Sequence, residues 1–98
     1  MDKLPKPALP YSHGVKAGNF IFTAGQVGIN PENGKLKGNS IKEQTEQALA
    51  NLTTVLEAAG TSMKHVVKTT VFISDFKDFK EMNETYARFF PDNQPARS

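Results

Sequence analysis

The chain has 98 residues, of which 12 are basic and 10 acidic, giving a net charge of +2. It contains no cysteine, which excludes disulfide bonds, thiolate zinc sites and cysteine nucleophiles. The lysines alternate with carboxylates and form no continuous basic stripe, so the charge pattern does not favour a nucleic-acid-binding protein.

The first third of the chain predicts an extended arm, a strand and a turn. Three prolines within residues 3–10 favour an extended arm, because proline interrupts both helices and strand ladders. The β-prone run from Phe20 to Gly25 is apolar on both faces, which predicts a buried strand. Asn33-Gly34, at the end of the segment 30–34, predicts a tight surface turn.

The middle of the chain predicts one long amphipathic helix. Ser40 and Glu43 form a capping box at its start, and Gly60 is placed to end it. Its apolar face recurs in steps of three and four residues, at Ile41, Thr45, Ala48, Leu49, Leu52, Val55, Leu56 and Ala59.

The last third predicts a strand followed by a second helix. The β-branched run 66–73 predicts the strand. The helix is expected to begin near Asp75 or Asp78 and to end before Pro91. Its predicted buried side consists of Phe76, Phe79, Met82, Tyr86, Phe89 and Phe90. An apolar helix face needs a further strand to cover, and only residues 92–98 follow the helix. Either the fold ends in an unusual way, or one domain, residues 1–98, lacks its final strand, and we expect the latter.

The length and hydropathy of the chain predict its oligomeric state and its cellular location. A core this small makes self-association an expected further source of burial. No apolar run approaches the ~20 residues of a membrane span, and no secretory signal is evident at Met1, so we expect a cytoplasmic protein.

Two common classes of catalytic site receive little support. The two histidines, His13 and His65, show no zinc-binding spacing, and carboxylates do not cluster, so we predict no metal site. No serine lies in a glycine-flanked nucleophile turn, which argues against a serine hydrolase.

Arginine is scarce, and its two positions differ. Arg88 lies within the second helix, where it could pair with Glu84 four residues earlier. Arg97 follows Pro95-Ala96, and a guanidinium on a stiff backbone can grip a carboxylate through two parallel hydrogen bonds. On composition alone, a solvated terminal side chain is favoured for Arg97 by about two to one.

Four blocks give the chain a family resemblance. They are Tyr11-Ser12-His13-Gly14-Val15, Phe22-Thr23-Ala24-Gly25-Gln26-Val27-Gly28, Asn30-Pro31 and Pro95-Ala96-Arg97-Ser98. In order and spacing they resemble the signature blocks of the RidA (YjgF, L-PSP) family across essentially the whole chain.

The resemblance implies an α+β, chorismate-mutase-like domain with a mixed β-sheet and two α-helices on one face. It implies a homotrimer with ligand clefts between subunits. The implied activity is hydrolysis of 2-imino acids, such as 2-iminopropanoate and 2-iminobutanoate, to 2-oxo acids and ammonia. No cofactor is implied, and the partners are small 2-imino and 2-oxo carboxylates.

By position in the blocks, the resemblance also assigns a site. Arg97 matches the arginine that holds the substrate carboxylate, and Tyr11 matches a pocket-lining tyrosine, so both are candidate catalytic residues. Ala24, Gly25 and Gln26 match the block that forms the pocket wall. Imine hydrolysis is intrinsically easy, and orienting the imine toward one water can contribute several kcal/mol.

Two departures from the family pattern keep alternatives open. Ala24 stands where many catalytic members have serine. Members also continue beyond the position of Ser98 into a strand whose glutamate is thought to handle the water. The alternatives are a non-catalytic module that binds small carboxylates, and the endoribonuclease or translation-inhibitor activity that some relatives are named for.

Overall fold

The computed structural model of the protein describes residues 11–98, so the predicted arm at 3–10 lies outside the described residues. Two α-helices and six short strands follow one another in this range, and the predicted α+β class is confirmed. The strands are β1 (Gly14–Ala17), β2 (Phe20–Thr23), β3 (Ile29–Asn30), β4 (Lys35–Leu36), β5 (Lys68–Thr69) and β6 (Ala96–Arg97). The helices are α1 (Ile41–Ala58) and α2 (Phe79–Phe89), and none of the described helices is long and apolar enough to cross a membrane.

The strands pair in both directions. Within residues 11–98, β1–β2 and β3–β4 are antiparallel pairs and β5–β6 is a parallel pair. The predicted strand of residues 20–25 is therefore present as β2, and the predicted turn at 30–34 connects β3 to β4. Gly34 adopts a φ of 71°, and its N–H donates to the carbonyl of Asn30 over 2.8 Å.

The expected burial of β2 is wrong for the single chain. Phe22 is 62% exposed and Phe20 is also exposed, and their rings lie 6.4 Å apart. They share one face of the β1–β2 hairpin with Val15 and Ala17, the residues directly opposite them. Within β2, only Ile21, on the other face, is partly buried. The hairpin contacts α1 on one side, which leaves its aromatic face uncovered.

The first helix follows the sequence prediction closely. The N–H of Glu43 donates to Ser40 Oγ over 3.0 Å, and Ser40 Oγ–H donates to the Glu43 carboxylate over 3.0 Å. At the other end, Gly60 takes a φ of 89°, and the N–H of Thr61 returns to the carbonyl of Leu56 over 3.0 Å. Both helix ends therefore satisfy backbone groups that would otherwise lack partners.

The core forms mainly where α1 packs against α2. Leu49 from α1 contacts a buried cluster of Met82, Tyr86 and Phe90 from the second helix and its end. The second helix begins as a 3₁₀ turn, Phe76–Asp78, in which Asp75 accepts from the N–H of Lys77 over 3.0 Å.

Two details of the second helix differ from prediction. Phe76 is 78% exposed, not buried, because the 3₁₀ turn places it before α2, where its ring stacks on Phe79 and lies outside the buried cluster. Arg88 pairs with Glu46 of α1 instead of Glu84, because the helices cross closely enough for the longer-range partner to reach it.

The predicted strand at 66–73 is also shorter than expected. Only Lys68–Thr69 is regular strand, since its partner, Ala96–Arg97, is itself two residues long. Backbone hydrogen bonds extend the pairing slightly: Ala96 N–H donates to Val67 over 3.1 Å, and Val71 N–H donates to Ser98 over 2.8 Å. The residues after α2 therefore do contribute a strand.

One glycine is required by close packing. A Cβ added to Gly28 would lie 2.6 Å from the Cα of Gln44 on α1, a distance that real side chains do not reach. We expect Gly28→Ala to lower the free energy of unfolding by about 2 kcal/mol, because backbone must move to admit the methyl group. Urea denaturation would measure this loss. Gly25→Ala is the control, since its Cβ would meet nothing within 4 Å, and equal losses in both variants would contradict the prediction.

Candidate functional site

Arg97 stands in β6, with its side chain on an exposed position of the strand. Its backbone is fixed by the parallel pairing, in which Arg97 lies opposite Thr69, and Ser98 N–H donates to the Thr69 carbonyl over 3.1 Å. The predicted carboxylate-binding arginine is therefore held by backbone pairing with β5 and is not part of a loose terminus.

The Arg97 guanidinium lies over two aromatic rings of the second helix. Its central carbon is 4.9 Å from the Tyr86 ring centroid and 5.7 Å from that of Phe79. Both distances fall within the range of a cation–π interaction. The Tyr86 hydroxyl is in turn 2.7 Å from Thr69 Oγ1.

The hydrogen-bonding edge of Arg97 has no acidic partner among residues 11–98. The ion pairs in this range join Lys77 to Asp75 and Arg88 to Glu46. A guanidinium that uses its face against aromatic rings keeps its N–H groups in the plane, where they can bind a carboxylate in two-pronged fashion. The arrangement is chemically suited to an anionic ligand.

The remaining predicted residues gather around the β1–β2 hairpin. Tyr11 is 50% exposed, and its ring meets the edge of the His13 ring at a centroid distance of 6.4 Å. The N–H of Ala24 donates to the His13 carbonyl over 2.9 Å, which extends the hairpin pairing past β2. Gln26 Nε2 lies 3.5 Å from the Ala24 carbonyl, and Gly25 is exposed between them.

A buried asparagine holds the segment that follows these residues. Asn51 of α1 is 5% exposed, and its amide donates to the carbonyls of Val27 over 3.3 Å and Ile29 over 2.8 Å. Its own oxygen accepts from Gln47 Nε2 over 2.8 Å. Because a buried amide without partners is costly, this network fixes the course of the chain just after Gln26.

The five predicted residues thus fall into two groups. Tyr11, Ala24, Gly25 and Gln26 belong to the β1–β2 hairpin and its extension, whereas Arg97 belongs to the β5–β6 pair. These pairs are separate sheets within residues 11–98.

The fold also contains a groove that involves neither group. A shallow cavity of about 410 Å³ is lined by Lys37, Glu46, Gln47, Ala50, Arg88 and Phe89. Its arginine is already paired with its glutamate. We therefore place the candidate site at Arg97 and not in the groove.

Three residues that contact or hold the predicted site residues could not be assigned to the site from the sequence. Phe79 and Tyr86 were assigned to the core without a link to Arg97, and Asn51 lies off the predicted apolar face of the first helix. The spacing of Phe79 and Tyr86 was a usable signal, because residues seven apart lie on the same face of a helix and can contact the same side chain. An asparagine within a helix gives no comparable signal.

Comparison with known proteins gives a consistent result. The family described as Endoribonuclease L-PSP matches residues 1–98. A RutC family protein of Pyrococcus abyssi is 49% identical over 96 residues, which cover 98% of this chain and 76% of that protein. A human protein named 2-iminobutanoate/2-iminopropanoate deaminase is 41% identical over 96 residues, covering 98% of this chain and 70% of the human one.

Solved structures agree with the sequence comparisons. A crystal structure of E. coli TdcF with bound serine superimposes with a TM-score of 0.93 at 34% identity. The match covers 100% of this chain and 79% of TdcF. The fold expected from the sequence resemblance is therefore confirmed.

Proposed function

Because this chain belongs to the endoribonuclease L-PSP family, which includes the human imine deaminase, we propose that it hydrolyses reactive 2-imino acids. The proposed substrates are small, such as 2-iminopropanoate and 2-iminobutanoate. Water adds to the C=N carbon, the C–N bond breaks, and the products are a 2-oxo acid and ammonia. We also propose that residues 1–98 act as one domain in the cytoplasm.

Arg97 carries this proposal. Its guanidinium edge has no acidic partner within residues 11–98, and its backbone lies on a paired strand. Both 2-imino and 2-oxo acids offer a carboxylate next to the reacting carbon. Two parallel hydrogen bonds to that carboxylate would fix the orientation of the C=N group. The serine bound by TdcF is also a small carboxylate, which supports a ligand of this size.

Tyr11 has a proposed role at the reacting carbon. Its half-exposed ring leaves the hydroxyl accessible, and a phenol can donate or accept a hydrogen bond. We propose that it orients the attacking water or the departing nitrogen. Ala24, Gly25 and Gln26 would form the adjacent wall, with backbone groups of the exposed glycine facing the ligand.

We further propose that the two halves of the site meet between subunits of a homotrimer. The hairpin half and the Arg97 half belong to separate sheets, so a cleft between neighbouring chains could unite them. The uncovered hairpin face, consisting of Val15, Ala17, Phe20 and Phe22, supports association, because clustered exposed apolar side chains are typical of interfaces.

This assembly gives a second testable prediction. We expect a solution mass three times the 10.8 kDa of the chain, and we expect Phe22→Ser to reduce it to that of one chain. The serine removes apolar area from the centre of the proposed contact. Light scattering after gel filtration would measure the mass. Lys16→Ser, on the opposite face of the same hairpin, should remain trimeric.

A non-catalytic carboxylate-binding module is the second candidate function. Ala24 favours it, because a methyl group at this pocket position supplies no hydroxyl for a ligand or a water. Calorimetry with 2-oxobutanoate distinguishes the two candidates. Binding without turnover of the imine would favour the binding module.

The endoribonuclease activity in the family's description receives less support from this chain. His65 is exposed at the end of a 3₁₀ turn, whereas His13 lies on the hairpin, so the two histidines occupy different elements. RNA cleavage that persists in purified Arg97→Ala protein would favour this alternative.

The direct test of the proposed deaminase is a coupled assay. An amino-acid oxidase or dehydratase generates the imine, and semicarbazide competes with the protein for it. We expect the protein to accelerate formation of free 2-oxo acid in proportion to its concentration. Unchanged kinetics at micromolar protein would contradict the proposal.

A further inference from the structure

The strongest unexplained feature of the molecule is the aromatic support beneath Arg97. An exposed arginine side chain ordinarily samples many rotamers, and each must be given up when it binds a ligand. Here the guanidinium lies over the rings of Tyr86 and Phe79, at 4.9 and 5.7 Å. The two rings therefore restrict the orientation of the guanidinium before a ligand binds.

The supporting rings are themselves fixed. Tyr86 is buried, and its ring packs against the ring of Phe90 with centroids 4.7 Å apart. Phe79 is partly buried and stacks on Phe76 with centroids 5.0 Å apart and a 12° angle between the ring planes. Because packing holds both rings on the second helix, they can act as a rigid surface.

Thr69 connects the aromatic rings to the strand that contains Arg97. Its hydroxyl lies 2.7 Å from the Tyr86 hydroxyl, and its backbone lies opposite Arg97 in the β5–β6 pair. The strand that holds the arginine backbone is thus joined to the ring that holds its guanidinium. A shift of the second helix relative to β6 would disturb both contacts together.

We propose that Phe79 and Tyr86 are positioning residues that orient Arg97 for two-pronged binding of the substrate carboxylate. This inference rests on the proposed function, since Arg97 is its carboxylate anchor. Both ring centroids lie within cation–π distance of the guanidinium carbon, and a guanidinium whose face meets an aromatic ring keeps its in-plane N–H groups available to a ligand. The helix would thereby determine affinity for carboxylates without touching the substrate.

The kinetic test compares matched substitutions on one helix. We expect Phe79→Leu to raise KM for the imine by about threefold to tenfold with kcat changed less than twofold, because weaker binding of the carboxylate affects the ground state and the transition state alike. Phe89→Leu is the control, because Phe89 is also partly buried on α2 but its ring is not under the guanidinium. Tyr86→Phe keeps the ring under the guanidinium but removes the hydroxyl contact to Thr69, so its rise in KM should be smaller than that of Phe79→Leu.

Two further measurements separate positioning from general damage to the fold. In an Arg97→Ala background, Phe79→Leu should have no additional effect on kcat/KM, because the residue that it positions is gone. By NMR, the {¹H}–¹⁵N NOE of Arg97 Nε should fall in Phe79→Leu and stay unchanged in Phe89→Leu.

The outcomes also separate this inference from the proposed function. If Arg97→Ala abolishes activity but Phe79→Leu and Phe89→Leu behave alike in KM and NOE, the positioning role is wrong and the anchor stands. If Arg97→Ala retains full activity, Arg97 is not the carboxylate anchor, and if the wild-type protein does not hydrolyse the imine, the proposed function fails. In both cases the NOE still reports whether the rings hold the guanidinium. An Arg97 NOE unaffected by Phe79→Leu would overturn the inference in either case.

Discussion

Arg97→Ala is expected to reduce kcat/KM for 2-iminobutanoate by roughly 100-fold, which corresponds to about 3 kcal/mol. In the proposed site, the substitution removes two charge-assisted hydrogen bonds from the substrate carboxylate, and each such bond contributes about 1.5–3 kcal/mol. The imine-trapping assay measures the ratio directly. Circular dichroism should remain unchanged, because the Arg97 side chain is exposed.

The second arginine provides a matched control. Arg88 is also exposed and positively charged, but its guanidinium is paired with Glu46, away from the predicted site residues. We expect Arg88→Ala to retain kcat/KM within about twofold, since an exposed ion pair contributes little. Arg97→Lys should fall between wild type and alanine, because lysine keeps the charge but lacks the planar fork. Equal activity of the two alanine variants would rule out Arg97 as the anchor.

Phe90→Ala is expected to be the most destabilising of the substitutions considered, with a loss of about 3–5 kcal/mol in the free energy of unfolding. Phe90 is 2% exposed and packs against Tyr86 at the end of the second helix, so truncation leaves a cavity between the helices. The total free energy of unfolding of a single domain is only about 5–15 kcal/mol, so the urea midpoint of Phe90→Ala should fall sharply.

A second phenylalanine gives the comparison for this variant. Phe76 is 78% exposed and makes one ring stack with Phe79, so Phe76→Ala should cost about 0.5–1.5 kcal/mol. The difference between the variants therefore measures burial and not the loss of an aromatic ring as such. Similar midpoints for the two variants would contradict the assignment of Phe90 to the core.

The helices were the most predictable part of the fold. Ser40, Glu43 and Gly60 set the ends of the first helix through contacts within a few residues of sequence, so a local pattern contains all the information. Burial was less predictable. Phe22 and Phe76 are phenylalanines, a residue type common in protein cores, yet both are exposed. Burial depends on which other parts of the chain pack against a residue, and a local sequence pattern does not contain that information.

In the candidate site, too, some features could be predicted from the sequence and others only from the tertiary structure. The sequence alone identified Arg97, Tyr11 and the block 24–26 as the residues to examine, and it established the family and the α+β class. Only the tertiary structure placed Tyr86 and Phe79 beneath the Arg97 guanidinium and showed that Asn51 holds the segment after Gln26. Motifs and helix caps are encoded in neighbouring residues, whereas these contacts depend on packing a helix against strands that lie tens of residues away.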